Sequence, residues 1–459
     1  MKKSTIGIGA LFFEKILHFS HNSVIIYFGS FFIYILEEIS LKEKFKTFFK
    51  MPLKYILGFL FWSALGVFMG AVGGAIGALF SHTLALVTDV RADNPWVLYL
   101  LPAGGLIIAA IYALCRLSGS NTNTVFETVR DEKEVPFLLA PAVFAGTTIT
   151  HLFGGSAGRE GAALQIGGSV ASLLGKIIHI SDRHRHILTM CGMSALFSAM
   201  FGTPVGACIF AVEVASAGRL YTAAMYPCTV SSVIAYLAAT RLGVIPEHYE
   251  IGVIPTLGVS PILCAAAVGL ASAVVSIIFC TVMHKTHNVL KKLIKNKYVR
   301  TAVGGTAVVL MTLLIGSDDY NGSGAHIIAG IFEGESIRPE AFALKILFTA
   351  ITMGSGYKGG EIVPTMFIGA TLGGTVASLI GMSTPLGAAI GIAAVFCGVT
   401  NCPITAIVLS LEMFGTDGAI YYMTAAMISY LLSGRYSLYS GQRIVYSKLD
   451  DTKIPEKTA

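Results

Sequence analysis

The chain has 459 residues, of which 54% are hydrophobic and only 13% are charged. Soluble globular proteins carry about 25% charged residues, so the composition excludes a soluble multidomain protein and indicates a multi-pass membrane protein. The net charge of +6 lies largely in short basic clusters between apolar runs. This pattern is typical of membrane orientation and argues against nucleic-acid binding.

Residues 1–53 precede the first long apolar stretch. Met1-Lys2-Lys3 resembles the start of a signal peptide, but Glu14 and Lys15 interrupt the run that follows, and no small-residue cleavage site appears. The apolar run at 23–36 is too short to cross a bilayer, which takes about 20 residues. We therefore expect residues 1–53 to form an N-terminal amphipathic or cytoplasmic segment.

Apolar stretches that could cross the membrane follow from residue 55 to residue 433. Several are shorter than about 20 residues, or contain Pro or a cluster of Gly, so we expect broken and re-entrant helices. In the first stretch, Gly70 and Gly74, and likewise Gly73 and Gly77, have the four-residue spacing that lets membrane helices pack closely. The stretches are 55–80, 96–115, 136–155, 187–212, 220–241, 257–283, 301–316, 341–355, 364–382, 386–411 and 419–433.

Three basic clusters lie between or before these stretches, and the positive-inside rule places all three on the cytoplasmic side. The run Arg183–His186 could suggest a metal site, but we favour an interhelical loop that binds phospholipid headgroups. The eight cysteines are scattered and form no CxxC pair, so we expect no disulfide framework, zinc site or other cofactor. The clusters are Lys42, Lys44, Lys46, Lys50 and Lys54; Arg183, His184, Arg185 and His186; and Lys285, Lys291, Lys292, Lys295, Lys297 and Arg300.

The second half of the chain repeats motifs of the first half. Gly167–Gly175 matches Gly373–Gly381, 206 positions later, and Gly158-Arg159-Glu160 corresponds to Gly359-Gly360-Glu361, 201 positions later. Such duplication is typical of transporters whose substrate site lies near the membrane midplane, where the halves meet. The repeat predicts such a site at 158–161 and 359–364. Further matches, each 199 positions apart, pair Ala195, Phe197, Pro204, Ala207 and Glu213 with Ala394, Phe396, Pro403, Ala406 and Glu412.

The two glycine-rich segments each lead into an apolar helix, and this arrangement favours an anion site. The N-terminus of a helix presents unpaired N–H groups and the positive end of the helix dipole. Two such ends aimed at one point can therefore bind an anion without a lysine. Glycine permits the close approach and the unusual backbone angles that such a site needs.

Glu160 is the candidate gate at this site. A carboxylate at membrane depth costs about 2.5–3.5 kcal/mol and is therefore a functional candidate; it can occupy the place of the anion and leave when it is protonated. The alternative is a structural pair with Arg159. The same argument applies more weakly to Glu361. Glu213 and Glu412 end long apolar helices, where we expect structural caps or interfacial carboxylates.

These motifs resemble those of the CLC family of chloride channels and anion/proton antiporters. Gly158-Arg159-Glu160-Gly161, followed by Gln165–Gly168, resembles the second family signature, and Gly360–Pro364 resembles the third. Gly119-Ser120 stands at the place of the first signature, G-S-G-I-P, and Leu438-Tyr439-Ser440 resembles the segment that carries the central tyrosine.

The resemblance implies an all-α integral membrane protein with about eighteen tilted, partly re-entrant helices in two inverted repeats. It also implies a homodimer in the lipid bilayer of the cell (cytoplasmic) membrane, with a separate pore in each subunit. We expect residues 54–250 and 251–440 to form the two halves of the transmembrane domain, and 441–459 a short cytoplasmic tail.

The resemblance further implies residue roles, with Glu160 as the external gate. The anion would be held by hydroxyl and backbone N–H groups, namely those of Ser120, Tyr439, Glu361, Ile362 and, further out, Gly161, Ala162 and Val363.

Three features depart from the usual family pattern. Antiporters of the family carry a second, internal glutamate one residue after the position of Glu213, where this chain has Val214, so the usual proton route lacks its residue. Glu361 stands where an apolar residue is common, which resembles the fluoride/proton-exchanging branch with its Gly-Gly-Glu. Ser120 follows the chloride pattern, whereas 121–123 fits neither pattern.

The sequence therefore predicts CLC-type transport of chloride or a related halide, either coupled to protons or passive. A fluoride/proton antiporter of the same family and a passive chloride channel are the alternatives. A cation/proton antiporter, which belongs to a different class, would place Asp or Asn in its broken helices, where this chain has Gly. An intramembrane enzyme is disfavoured because no HExxH motif occurs and no Ser/His pair is marked by a motif.

Overall fold

The computed structural model describes residues 41–117, 119–131, 134–450 and 452–457. Of the predicted N-terminal segment, 1–53, residues 1–40 lie outside the described part, and from Leu41 the chain is helical. The chain divides into two units, residues 1–62 and residues 63–459. The candidate site lies entirely within the second unit.

Sixteen α-helices occur within the described ranges, together with two short 3-10 helices at Pro95–Leu100 and Thr222–Ala224. The α-helices are α1 (Leu41–Asp93), α2 (Leu101–Leu114), α3 (Thr122–Asp131), α4 (Leu139–Leu152), α5 (Glu160–Ile177), α6 (Asp182–Phe201), α7 (Pro204–Glu213), α8 (Met225–Arg241), α9 (Val259–Leu293), α10 (Lys297–Ile315), α11 (Ala325–Phe332), α12 (Ala341–Ser355), α13 (Ile362–Leu379), α14 (Thr384–Thr400), α15 (Pro403–Phe414) and α16 (Ala419–Leu432).

Six helical segments in the described part of the chain are long and apolar enough to cross a membrane. Six further apolar helices have only 10–17 residues, fewer than the roughly 20 that a crossing helix needs. The prediction of a multi-pass helical membrane protein with many partial helices is confirmed. The six long segments are Leu53–Asp93, Pro95–Leu114, Thr222–Arg241, Val259–Leu293, Lys297–Ile315 and Ile362–Leu379.

A small sheet that the sequence did not indicate joins two distant parts of the chain. Strand β1 (Ser216–Ala217) pairs in parallel with β2 (Arg443–Tyr446), and β2 pairs antiparallel with β3 (Lys453–Lys457). The strands are too short to show an alternating pattern in the sequence. Within the predicted tail at 441–459, β2 and β3 therefore pack beside the segment that follows α7.

Two stretches that were expected to be continuous, 187–212 and 386–411, are each broken at the same relative point. Gly202 has φ 73° and Asn401 has φ 56°, and both end a helix in the left-handed region. Pro204 and Pro403 each begin the next helix two residues later. A left-handed residue stops a helix and proline favours the first position of a new one, so each stretch becomes two helices.

The glycine pairs of α1 allow close helix packing on two sides, as predicted. Cβ atoms at Gly70 and Gly74 would lie only 2.6 Å from Cβ atoms of α8, and those at Gly73 and Gly77 only 2.5–2.6 Å from Cβ atoms of α6. Side chains are therefore excluded at all four positions, and α1 lies directly against α6 and α8.

The repeated motif packs in the same way in both halves. In the first half, Gly167 of α5 faces the backbone of Gly192 in α6; in the second, Gly373 of α13 faces the backbone of Gly387 in α14. Among the helices of the described ranges, these two pairs are the most extensively packed. This packing holds the N-terminal ends of α5 and α13 in place.

Candidate functional site

The two glycine-rich segments that the repeat singled out meet directly. The Gly158 N–H donates to the Gly360 carbonyl and the Gly360 N–H donates to the Gly158 carbonyl, each at 2.7 Å, which forms an isolated antiparallel bridge. Helix α5 begins at Glu160 and α13 at Ile362. The N-termini of both helices therefore start within two residues of one bridge.

Glycine is required at this bridge because the two segments touch. A Cβ atom at Gly360 would overlap the backbone nitrogen of Gly161, and one at Gly161 would lie 2.9 Å from the Cα atom of Gly360. The first intrahelical acceptors are the carbonyls of Arg159 in α5 and Glu361 in α13. The N–H groups of 160–162 in α5 and of 362–363 in α13 therefore have no acceptor within their own helix.

The predicted backbone ligands lie at these two helix ends. Ala162 and Ile362 are completely buried, Val363 is 7% exposed, and Gly161 is buried. Their position agrees with an anion site formed by helix N-termini. Their role as anion ligands stays a prediction.

Glu160 is completely buried and turns back onto the start of its own helix. Its carboxylate accepts hydrogen bonds from the backbone N–H of Arg159 at 3.1 Å and from the Arg159 Nε–H at 3.2 Å. Charged hydrogen bonds of this kind can hold a carboxylate at a helix N-terminus. The carboxylate thus occupies a position in which an anion would meet the same donors.

Arg159 also pairs with a second carboxylate, from a part of the chain without any motif. Its Nη2 donates to Glu247 Oε1 at 2.6 Å, and the hydroxyl of Tyr249 donates to Glu247 Oε2 at 2.7 Å. Nothing in the sequence near Glu247 signals this contact. It arises because the loop after α8 folds over the N-terminus of α5.

Glu361 directs its carboxylate toward the α5 end of the site. Its Oε2 atom is buried, has no hydrogen-bond partner among the described residues, and lies 3.2 Å from the Cβ position of Gly161. The hydroxyl oxygen of Thr122 lies 3.5 Å from the same position. Glu361, Gly161 and Thr122 therefore converge on one place.

Thr122, rather than Ser120, supplies the buried hydroxyl at this place. Thr122 is 4% exposed, begins α3, and accepts a hydrogen bond from Gln165 Nε2 at 3.1 Å. Ser120 is half-buried, and its carbonyl accepts a hydrogen bond from Lys358 Nζ at 3.2 Å. The role of the Ser120 hydroxyl stays a prediction.

Lys358 brings a positive charge to the start of the second segment. Its Nζ lies 4.2 Å from the ring centroid of Tyr112, and Glu361, which attracts it electrostatically, is three residues further along. A lone lysine within a glycine-rich apolar segment was a signal in the sequence. The motifs alone do not assign this lysine a role, because helix N-termini can bind an anion without one.

Tyr439 is almost completely buried, with its ring in edge contact with Phe126 at 4.9 Å between centroids. Asn123 binds the two residues that follow Tyr439. Its Nδ2 donates to Ser440 Oγ at 3.0 Å, and its Oδ1 accepts from the Gly441 N–H at 2.9 Å. Asn123, which fitted no family pattern, therefore links α3 to the tyrosine segment.

Gln442 anchors the same segment from the other side and is completely buried. Its Nε2 donates to the carbonyls of Val214 at 2.9 Å and Thr400 at 2.7 Å. Its Oε1 accepts from Ser437 Oγ, which in turn accepts from the Tyr439 N–H. Tyr439 is thus tied to the ends of α7 and α14.

The pentapeptide Gly154-Gly155-Ser156-Ala157-Gly158 has the letters of the G-x-S-x-G motif of serine hydrolases. Ser156 is completely buried, and its hydroxyl bonds to Thr349 Oγ1 at 3.0 Å. No strand precedes it, whereas the hydrolase nucleophile stands on a strand-to-helix turn. The match does not support an enzyme.

The chain is similar in sequence to a known family and to proteins of known name. The family model described as voltage gated chloride channel matches residues 104–434. A chloride/fluoride channel protein of Pseudomonas syringae pv. tomato is 34% identical over 395 residues, which cover 84% of this chain and 87% of the relative. An H(+)/Cl(-) exchange transporter ClcA of Vibrio campbellii is 24% identical over 445 residues, which cover 87% and 92% of the two chains.

Solved structures share the fold. The crystal structure of a CLC-type fluoride/proton antiporter has a TM-score of 0.81 and 30% sequence identity, and the match covers 83% of this chain and 98% of that one. A slow cyanobacterial Cl-/H+ antiporter has a TM-score of 0.71 at 17% identity, with 81% and 94% covered. The predicted fold class is confirmed.

Proposed function

Because this chain belongs to the voltage-gated chloride channel family, a family of membrane anion transporters, we propose that it exchanges fluoride for protons across the cell membrane. The observation that carries the proposal is the pair of carboxylates, Glu160 and Glu361, at two helix N-termini joined by the Gly158–Gly360 bridge. The similarity to a CLC-type fluoride/proton antiporter supports the same choice of ion.

The proposed anion site uses partial charges. The N–H groups at the starts of α5 and α13 face one place, and the helix dipoles add about half an elementary charge each. Ile362 and Val363 on one helix, and Gly161 and Ala162 on the other, supply these donors. Such a site holds an anion without trapping it, as conduction requires.

The proposed proton carriers are the two carboxylates. Glu160 is the outer one: when protonated, it loses its attraction to Arg159 and gives its place to the anion. Glu361 is the inner one, since Val214 cannot carry a proton and Glu361 Oε2 has no partner among the described residues. Lys358 offsets part of the negative charge that an anion and Glu361 bring together.

The orientation of the chain follows from α9. Its C-terminal end carries Lys285, Lys291 and Lys292, which the positive-inside rule places in the cytoplasm. The loop 242–258 precedes the opposite end of α9 and therefore faces the outside. On this orientation the Arg159 side of the site, next to Glu247 of the loop, faces the outside.

Exposed apolar side chains on the crossing helices support a protein surface in contact with lipid. On α10, Leu310, Leu313 and Leu314 are 53%, 54% and 86% exposed, which suits contact with lipid. We further propose a homodimer with a separate site in each subunit, as the family resemblance implies. The molar mass of the purified protein in detergent tests this proposal.

Chloride is the second candidate ion, and one observation favours it. Ser120 follows the chloride pattern of the first signature. Chloride would be either exchanged for protons or conducted passively. A solved structure named for chloride/proton exchange shares the fold, and a relative named for it is similar in sequence.

The test is a flux assay with purified protein in liposomes, with a pH electrode and with fluoride or chloride gradients. We expect proton movement against a gradient when fluoride flows, and less proton movement when chloride flows. Glu361→Gln should abolish proton movement while leaving an anion leak. Glu250→Gln, a change in the exposed part of the same external loop, is the control and should behave as the unmutated protein.

Three outcomes would contradict parts of the proposal. No proton movement with either anion in the unmutated protein would favour a passive conductor. Stronger coupling of proton movement to chloride than to fluoride would favour chloride as the transported ion. If Glu361→Gln retained coupling, or lost only stability, the side chain would be structural.

A further inference from the structure

Arg159 is shared by two carboxylates that belong to different parts of the chain. It lies 3.2 Å from Glu160 and 2.6 Å from Glu247, counted between nitrogen and oxygen atoms. The side chain of Glu160 is completely buried, whereas those of Arg159 and Glu247 are 22% and 24% exposed. Glu247 is the second carboxylate that pairs with Arg159 within the described ranges.

The loop that carries Glu247 is held in place over the site. The Glu247 N–H donates to the Phe201 carbonyl at 3.0 Å, and the Tyr249 N–H donates to the Met413 carbonyl at 2.9 Å. The ring of Tyr249 stacks on Phe332 at 4.8 Å between centroids. The carboxylate of Glu247 is therefore positioned by its own loop, and does not depend on Arg159 for its place.

A cavity of about 180 Å³ lies beside this pair. Arg159, Glu247 and Tyr249 line it together with Val363 of the α13 N-terminus and His151 of α4. On the proposed orientation the cavity faces the outside. Arg159, which precedes Glu160 at the start of α5, and the half-buried Glu247 are thus both on its wall.

We propose that Glu247 is a positioning residue that sets the pH at which Glu160 opens the external gate, by competing with it for Arg159. This inference rests on the proposed role of Glu160 as the gate. While Glu247 holds one side of the guanidinium, Glu160 shares Arg159 and is repelled by a nearby like charge. When Glu160 is protonated and leaves, Arg159 keeps its ion pair with Glu247. Its largely buried charge is therefore not left without a partner.

Removing the negative charge of Glu247 favours the charged form of Glu160 in two ways. Arg159 would be left to Glu160 alone, and the repulsion between the two carboxylates would disappear. Glu160 would therefore hold its negative charge to lower pH, and the gate would need a more acidic solution to open. The other charged or titratable groups around Glu160, Arg159 and the cavity are Asp89, Arg91, His151, Tyr249, Lys345, Glu361 and Tyr439.

Three of these groups have hydrogen-bond partners of their own. His151 binds the Thr147 carbonyl through Nδ1 at 2.9 Å, and Arg91 binds the His151 carbonyl at 3.2 Å. Lys345 donates to two carbonyls of the loop after α10. Their charges remain when Glu247 is changed, so the difference between the variants isolates the Glu247–Arg159 pair.

The experiment measures anion efflux from liposomes at equal pH on both sides, from about pH 4 to pH 8, a range that covers carboxylate titration. We expect Glu247→Gln to move the midpoint of the pH profile by about one unit to lower pH, with the maximal flux at low pH unchanged. Glu250→Gln is the matched control from the same loop and should leave the midpoint in place. Glu247→Asp, which is too short to keep its contact with Arg159, should give a smaller shift in the same direction.

The double variant Glu160→Gln/Glu247→Gln distinguishes positioning from a purely structural role. We expect Glu160→Gln to remove the pH dependence, and Glu247→Gln to add nothing to it. An unchanged midpoint in both Glu247 variants would overturn the inference, and so would an equal shift in the Glu160→Gln background. If Glu160→Gln itself kept the pH dependence of the unmutated protein, the gate role would fail, which is a separate result.

Discussion

Glu213 and Glu412 each accept hydrogen bonds from the first backbone N–H groups of the helix that carries the other. The carboxylate of Glu213, on α7, accepts from the N–H groups of Ile404 at 3.1 Å and Thr405 at 2.8 Å in α15. Glu412, on α15, accepts from the first turn of α7 at 2.9 and 2.7 Å. The two repeats therefore cap each other's helices reciprocally, as expected for related halves of opposite orientation.

The first prediction concerns the unequal strength of these caps. Glu213 is 4% exposed and also accepts from the Thr405 hydroxyl at 2.5 Å, whereas Glu412 is half-buried. Each hydrogen bond to a charged group contributes about 1.5–3 kcal/mol. We expect Glu213→Ala to lower the thermal unfolding temperature in detergent more than Glu412→Ala does. Glu333→Ala, an exposed position, should have little effect; equal losses in the two cap variants would contradict the asymmetry.

The sequence predicted the parts of the site that lie within repeated motifs. The segments 158–161 and 359–364 carry a local signal, because glycine followed by an apolar run indicates a helix start that another backbone can approach closely. The breaks at Gly202 and Asn401 also had a signal, since Pro204 and Pro403 mark helix starts. The hydrophobic residues on both sides of each break, however, form one continuous run, and such a run predicts a single long helix.

The contacts that the sequence did not predict join residues far apart in the chain. Glu247 reaches Arg159 from 88 positions away, and Asn123 reaches Ser440 from 317 positions away. Neither Glu247 nor Asn123 corresponds to a repeated residue in the other half of the chain. Neither lies one helical turn from a motif. Only the packing of α3, α5 and the loop after α8 brings these side chains together, and a single sequence carries no record of that packing.

The second prediction concerns the hydroxyl groups near the anion. Thr122 is buried beside Gly161 and Glu361, whereas Ser120 is half-buried. A hydroxyl that donates to a charged partner contributes about 1.5–3 kcal/mol, so we expect Tyr439→Phe and Thr122→Val each to weaken fluoride binding by at least tenfold in calorimetry. Ser120→Ala should weaken it less. If Ser120→Ala had the largest effect, the first signature would bind the anion as the family resemblance implies.

The third prediction concerns Lys358. Its Nζ donates to the Ser120 carbonyl at 3.2 Å, and its charge is attracted to Glu361. Lys358→Met removes both interactions, so we expect weaker anion binding, by about tenfold, and slower flux at low anion concentration. Lys358→Arg keeps the charge and should retain most of the affinity. Equal affinity in the methionine variant and the unmutated protein would exclude an electrostatic role for this lysine.

The last prediction concerns Lys448, which follows the final helix and lies outside the membrane-spanning segments. Its Nζ donates to the Tyr430 carbonyl at 2.6 Å and to Ser433 Oγ at 3.2 Å. Burial lowers the pKa of Lys448 to about 8, from an ordinary value of 10.5. The charged form is therefore less favourable in the folded protein than in the unfolded chain.

The sign of the pH effect follows from the number of bound protons. Between the two pKa values of Lys448 the unfolded chain binds more protons than the folded protein, so stability rises with pH over that interval. We expect Lys448 to contribute a rise in the unfolding temperature between about pH 8 and pH 10, so that Lys448→Met lowers the slope of the pH profile over this interval. Lys453→Met, a change at an exposed lysine of β3, should keep it. An identical pH profile in Lys448→Met and the unmutated protein would show that Lys448 titrates alike in both states.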